Sequence, residues 1–327
     1  MFTSKDVARL VGVSPATVSR VFRGEKVVTE ATRERVLAVA RQLNYTPSAA
    51  ASILKKQNSH TVAFLDPDPC NPFYIRAISR ISEALQSRYG YSTIMAPDTK
   101  YNREALEAAR LFLSYQVECI VLSPILTQYN PQFAQLIQST GHTRFLQLHA
   151  RLYDEVSSIS YADAAAAENA VSYLLEQGHR RILFAIDDRP RMQGCRQAFI
   201  KAGIDKPEIP LDIMQMHVEL DRVEQLIREY RPTAVMAVAE MSSLKAYAAI
   251  TRLNLRIPED ISFLVYDDTI WAEALGITVV AHPMDEVVEE AVDQIVGMGS
   301  GQYTQPRHRQ ICPQLLTRGS VKNITGK

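Results

Sequence analysis

Apolar positions along this 327-residue chain change period near residue 60. Over the first 43 residues they recur at three- and four-residue spacing. Val7, Leu10 and Val11 make one face, Val18 and Val21 a second, and Val36, Val39, Ala40 and Leu43 a third. Each is the spacing of a helix with one buried side. The breaks between them carry helix punctuation. Thr3 stands as a cap with Asp6 in the first turn, and Gly12 ends that helix. Ser14-Pro15 opens the second, a cap followed by proline at the first helical position, and Gly24 stops it. Thr29 caps a third helix running to about Leu43. Two short helices across a tight glycine turn, with a third behind them, are the helix-turn-helix plan.

From Thr61 short apolar runs at 61–66, 91–96, 118–123, 143–148, 181–186, 233–238 and 261–266 alternate with helical stretches. Those fall near 73–89, 102–116, 130–140, 162–178, 191–203, 219–230, 241–254 and 284–298. Such alternation predicts parallel sheets covered on both faces, and about ten strands in this length fit two doubly wound α/β lobes. The expected division is a helix-turn-helix head at 1–47, a linker at 48–60 and a two-lobed body at 61–327. Lobe one takes about 61–159 plus about 285–311; lobe two takes about 160–284 plus the C-terminal end.

Composition adds little until it is divided. Hydrophobic residues are 46% and charged residues 22%, ordinary for a soluble protein. No apolar run reaches the length of a membrane span. Lys5, Asp6 and Arg9 interrupt the start, so no signal peptide is expected and the protein is placed in the cytoplasm. Cys70, Cys119, Cys195 and Cys312 are scattered, without disulfide or metal-ligand spacing. The net charge is zero, yet residues 1–59 hold ten Lys/Arg against four Asp/Glu, a basic head on an acidic body. A polyanion partner for the head alone follows.

In a helix-turn-helix the second helix enters the major groove with its N-terminal residues toward base edges. Pro15, Ala16 and Arg20 are the outward candidates. Arg20 offers guanine a bidentate fork, and Pro15 and Ala16 offer apolar contact. Ser14, Thr17, Ser19 and the helix-start backbone suit phosphates; Arg23 and Thr29 complete the set. In the body, ligands are expected at strand carboxyl ends. Those ends carry Asp66 to Tyr74, Gln147-Leu148-His149, Asp187 to Arg191, Glu240, and Tyr266-Asp267-Asp268-Thr269. Carboxylates, an amide, an arginine and aromatic walls suit a hydroxyl-rich molecule. No phosphate-cradling glycine loop, nucleophile elbow or zinc motif is present, so neither catalysis nor a cofactor or metal is expected. Trp271, the one tryptophan, fits a cleft rim and the hinge between lobes equally well.

Asp6-Val7-Ala8, Gly12 through Val21, Val28-Thr29, Thr32 through Val36 and Leu43-Asn44-Tyr45-Thr46-Pro47 together resemble the head of the lactose repressor family. The resemblance covers some 45 residues nearly unbroken and continues more loosely through the body. It implies homodimers that read near-palindromic operators and lobes like those of periplasmic binding proteins. It also implies a repressor whose operator affinity is set by a small polar effector, a carbohydrate in preference. Ser48 to Lys56 resembles the family's hinge helix, with Leu54 at the position that wedges into the minor groove; Ser48-Ala49 replaces the family's frequent Asn-Arg. Asn71-Pro72-Phe73-Tyr74, Arg191-Met192-Gln193-Gly194 and Tyr266-Asp267-Asp268 resemble effector-binding segments, which implies effector contacts for Phe73, Arg191 and Asp267. Gln147 and Glu240-Met241 depart from the family pattern. Glu240 beside Asp267 would disfavour an anionic effector, so a neutral sugar or polyol, or an amine-bearing ligand, is expected over a sugar phosphate. The alternatives are a purine or nucleoside stacked on Phe73, and a sugar-binding or sugar-processing protein on the same lobes.

Overall fold

The computed structural model describes residues 2–22, 24–25, 27–46, 59–66, 71–97, 103–123, 129–186, 189–211 and 219–326. Arg23, Leu54 and the linker through residue 58 lie outside them.

The head is three helices, α1 (Ser4–Val11), α2 (Pro15–Phe22) and α3 (Glu30–Gln42). Thr3 N and Thr3 Oγ1 both donate to Asp6 Oδ2, at 2.9 and 2.8 Å, fixing the start of α1. Gly12 takes φ +76°, and its N–H closes on Ala8 O at 2.9 Å, so the turn uses the left-handed region that glycine enters freely. Val7, Ala8, Val11, Val18, Val21 and Val36 form the small core. Leu10, expected inside, is 60% exposed. The inward stripe of α1 runs through Val7, Ala8 and Val11, and Leu10 falls past its edge on so short a helix.

The body contains two sheets. The first has strand order β10-β5-β4-β3-β1-β2, all parallel. Its strands are β1 (Thr61–Asp66), β2 (Ser92–Pro97), β3 (Cys119–Leu122), β4 (Arg144–His149), β5 (Ser157–Tyr161) and β10 (His308–Ile311). The second has order β11-β9-β8-β7-β6, from β6 (Ile182–Ala185), β7 (Ala234–Ala237), β8 (Ser262–Tyr266), β9 (Thr278–Ala281) and β11 (Gln314–Leu316). The last, β11, pairs antiparallel with β9; an all-parallel lobe was expected.

Each sheet is buried on both faces, which is why its inner strands read as continuous apolar runs. In the first lobe Phe64, Leu146 and Leu148 face one core, built with α4 (Pro72–Tyr89) and α12 (Met284–Gly299). Ala63, Leu65, Ile120 and Phe145 face another, built with α5 (Arg103–Ser114) and α6 (Pro131–Ser139). The second lobe repeats the scheme. One side packs on α7 (Asp163–Glu176) and α8 (Arg189–Lys201), and the other on α9 (Leu220–Tyr230), α10 (Glu240–Arg252) and the short α11 (Ile270–Ala274). The chain crosses between sheets three times, at Tyr161 to Asp163, Ala281 to Met284 and Ile311 to Gln314. Carboxyl ends of the strands in both sheets meet at these crossings. Among the described residues no helix is long and apolar enough to cross a membrane.

Candidate functional site

In the head, burial of Val18 and Val21 leaves Pro15, Ala16, Ser19 and Arg20 exposed on the far side of α2, with Thr17 half-buried. Ser14 Oγ accepts from Thr17 N at 3.1 Å and sits 2.9 Å from the Thr17 hydroxyl, so Ser14 caps the helix. Arg20 Nε stands 3.7 Å from Glu25 Oε2, an exposed contact of little strength that a better partner can replace. Thr29 is exposed, and its hydroxyl donates to Thr32 Oγ1 at 2.9 Å.

Two of the basic residues counted in the head are committed inward. Arg33 donates to Val21 O (3.2 Å) and Glu25 O (3.0 Å), and Arg35 donates to Val11 O at 2.7 Å. Val11 O and Val21 O lie at the ends of α1 and α2, and Glu25 O lies in the turn after α2. Net charge alone conceals this structural use.

The second constellation lies where the lobes meet. His149 ends β4, Tyr161 ends β5, Asp163 opens α7, Arg191 lies in the first turn of α8, Asp267 follows β8, and His282 sits on the second crossing. His282 Nδ1 donates to Asp267 Oδ1 at 2.8 Å, and its Nε2 lies 3.7 Å from Asp163 Oδ1. Arg191 Nε is 3.3 Å from the same Asp163 oxygen, and its guanidinium lies over the Tyr266 ring, 4.6 Å from the centroid. Phe73 has its ring centroid 4.9 Å from that of His282 and 5.2 Å from that of His149. Its position comes from the start of α4, where Asn71 Oδ1 accepts from Phe73 N at 3.0 Å.

The electrostatics follow from this packing. Burial pulls the His282 pKa down, but hydrogen bonding with Asp163 and Asp267 and the charge of both carboxylates outweigh it, so the net shift is upward. Burial works to raise Asp163, yet His282 and Arg191 hold it below the usual carboxylate value. Burial, with the charge of His282 adding to it, drives His149 down to about 3, so it is neutral. Burial keeps the Tyr161 phenol protonated, and its hydroxyl hydrogen-bonds with His149 Nδ1 across 2.8 Å. The Glu240 carboxyl is raised by burial first and by the charge of Asp267 second, so the two acids sense each other.

Two buried polar atoms of this cluster, His149 Nε2 and Glu240 Oε2, have no hydrogen-bond partner among the described residues, whereas Asp163 Oδ1 faces His282 Nε2 at 3.7 Å and Arg191 Nε at 3.3 Å. Leaving such groups unmet costs about 1–3 kcal/mol each, a cost that a polar ligand relieves. The backbone agrees. His149, Ala239 and Asp267, at or just past the ends of β4, β7 and β8, all have φ between +67° and +77°. Non-glycine residues held there are a strain that collects at functional sites.

Phe73, Arg191, Glu240 and Asp267 are thus brought into one region, as expected. Gln147 is not. It is fully buried in β4, with its Nε2 donating to Tyr153 O and Val156 O, and its Oε1 accepting from Leu152 N and Tyr153 N. Strand alternation turns it to the opposite face from Leu146 and Leu148, and every polar valence pins the loop after β4. The polar group at this strand end is His149. Met241 is 62% exposed and adds no wall. Trp271 rests 6.0 Å from Tyr247 in the second lobe, away from the crossings. Tyr161 and Asp163 were missed because β5 is polar in sequence and its end was not legible as a strand end; His282 was missed because the short β9 before it was not read as a strand.

Gly194 explains the spacing after Arg191. A Cβ there would stand 2.0 Å from Ala164 O, so glycine lets α8 close on α7 and carries Arg191 to Asp163. One bond also spans the lobes here: Arg76 on α4 donates to Asp268 O at 3.0 Å, while Arg318 grips the Asp268 carboxylate at 2.7 and 2.9 Å.

Comparison with known proteins matches two regions of the chain. The family described as "Bacterial regulatory proteins, lacI family" matches residues 3–48, and "Periplasmic binding protein-like domain" matches residues 171–321. The chain is 28% identical to the ribose operon repressor of Escherichia coli over 98% of its own length and all of that protein. It is also 28% identical to the Escherichia coli transcriptional repressor CytR, over 98% of this chain and 97% of that one. A lac repressor dimer bound to operator and an anti-inducer superposes with TM-score 0.82 at 22% identity, covering 98% of this chain and 99% of that one. The regulator CelR in complex with cellobiose gives 0.67 at 26%, covering 98% of this chain and all of that one. This chain therefore carries a head matched by the lacI family of bacterial regulatory proteins at residues 3–48 and a periplasmic-binding-protein-like body matched over residues 171–321.

Proposed function

We propose that the chain is a cytoplasmic repressor, acting as a homodimer on a near-palindromic operator, and that a neutral sugar or polyol in the cleft sets its affinity for DNA. The observation that carries the effector class is the pair of unmet polar atoms on His149 and Glu240 beside the charged cluster of Asp163, His282 and Asp267, with the Phe73 ring against His149 and His282. A neutral imidazole offers one donor and one acceptor, the carboxylates accept from hydroxyls, and an aromatic face covers C–H surface. Three acids against Arg191 and a charged His282 leave no excess positive charge for a phosphate. The solved relatives include one with a disaccharide and one bound as a dimer to operator.

The head would supply Arg20, Pro15 and Ala16 to base edges and Ser14, Thr17, Ser19 and Thr29 to the backbone. Effector binding would bias the lobes through Asp163 and His282, which sit on the crossings, and a ligand moves the equilibrium only by its differential affinity for the two states. Nothing in this scheme needs turnover, and the ribose operon repressor, CytR and the lac repressor are repressors.

Calorimetry on the full chain tests this, with free pentoses, hexoses and polyols in one arm and sugar phosphates and nucleosides in another. Saturable binding of a neutral compound, weakened about 100-fold or more by Asp267→Asn (about 2.7 kcal/mol), is expected. Binding confined to phosphorylated sugars or to nucleosides would overturn the proposal.

A further inference from the structure

A second cavity lies at the opposite end of the first lobe, at the amino ends of β3 and β4, where the chain arrives from the head. Its volume is about 470 Å³, and it is walled by the end of α5, the turn before β4 and the last turn of α12. Glu118 and Arg144 line it, with Gly141, His142, Met298 and Gly299.

The two charged side chains stand on neighbouring strands yet form no ion pair with each other. The Glu118 side chain is only 10% exposed. Its Oε1 accepts from the Tyr91 hydroxyl at 2.6 Å, while Oε2 has no hydrogen bond among the described residues. His60, stacked on Tyr91 with centroids 3.9 Å apart, brings its Nδ1 to within 3.8 Å of that oxygen. Arg144 is exposed, and its guanidinium has no carboxylate partner among the described residues. Gly299 makes the room: a Cβ there would stand 2.0 Å from Glu118 Oε1.

Glu118, buried, and Arg144, without a carboxylate partner among the described residues, line one cavity and call for a ligand carrying both complementary charges. We propose that this cavity binds a small zwitterion, a free amino acid, with its ammonium on Glu118 Oε2 and its carboxylate on Arg144. A carboxylate meets a guanidinium through two parallel hydrogen bonds, and the volume is that of a small-molecule site. The ammonium competes with His60 for the same carboxylate oxygen. His60 ends the linker and adjoins β1, so occupancy acts directly on the chain leading from the DNA reader. This is a second regulatory input, separate from the effector cleft, linked to operator affinity in both directions.

Each of the standard amino acids at about 10 mM, titrated singly against the full chain, supplies the probe in a thermal-shift assay. At least one is expected to raise the melting temperature saturably, by about 3 °C or more. The shift should persist in Asp267→Asn and disappear in Glu118→Gln. Gly141→Leu leaves Glu118 intact and should abolish the shift too, since Gly141 faces open space and takes a side chain at the mouth without a clash. No shift with any amino acid overturns the assignment, as does a shift that survives Glu118→Gln or Gly141→Leu. A shift lost only in Asp267→Asn moves the ligand to the cleft and overturns it equally.

Discussion

His282 Nδ1 lies 2.8 Å from Asp267 Oδ1, and this bond joins a residue on the crossing between lobes to the carboxylate at the end of β8. The same imidazole faces Asp163 with its other nitrogen. A single charged side chain therefore holds two acids from separate segments in one arrangement, and does so at the hinge.

That arrangement makes stability depend on pH in a defined direction. The folded-state pKa of His282 is raised above 6.5, so the native state binds its proton more tightly than the unfolded chain. The stabilisation is fully present below about pH 6.5 and is lost as pH rises through the raised value. Melting temperatures of wild type and His282→Gln, compared across this range, should differ most at the acid side and converge with rising pH. A gap that is constant, or that widens upward, would mean the imidazole is not charged in the cluster. The comparison has to be a difference between the two proteins, because His149, depressed to about 3, contributes the opposite slope to both.

Gly194→Ala tests whether the approach of α8 to α7 positions Arg191. The added methyl would meet the Ala164 carbonyl at 2.0 Å, and neither helix backbone moves cheaply. A loss of about 1–3 kcal/mol in unfolding free energy is expected from overpacking, accompanied by weaker effector binding as Arg191 leaves Asp163. Chemical denaturation and calorimetry on the same sample read the two effects. Unchanged stability and affinity would show that the helices have slack that the contact denies.

Much of this architecture was legible from the sequence. The caps and glycine turns of the head, and the apolar runs of β1, β3, β4, β6, β7 and β8, are local signals with a direct physical reading. Arg191 and Asp267 were found because each adjoins such an element and resembles a family segment. What stayed hidden depends on tertiary facts. Gln147 follows a buried strand run just as a ligand-binding residue would, and only the loop folding back onto it shows its amide to be saturated. β5, with sequence Ser-Ser-Ile-Ser-Tyr, is polar because its serines bond to β10 and the segment before it. Tyr161 and Asp163 therefore had no visible strand to stand on. Arg33 and Arg35 looked like charge for DNA and serve instead as caps.

The last point separates two kinds of arginine in the head. Arg20 is exposed on the far side of α2 from the core and makes only a 3.7 Å contact with Glu25. Its replacement by alanine should leave the head folded and cost about 1–3 kcal/mol of operator binding, with relaxed preference at one base pair. Arg33 donates to Val21 O at the end of α2 and to Glu25 O in the turn that follows, and hydrogen bonds from a charged donor are worth about 1.5–3 kcal/mol. Arg33→Ala should therefore lower the stability of the head itself and weaken all DNA sequences alike, while the body melts unchanged. Hydrogen exchange within α2 gives the clearest readout, since faster exchange is expected in Arg33→Ala and not in Arg20→Ala. If Arg20→Ala loosened α2 as much as Arg33→Ala does, its effect on binding would be structural and its assignment to base reading would fall.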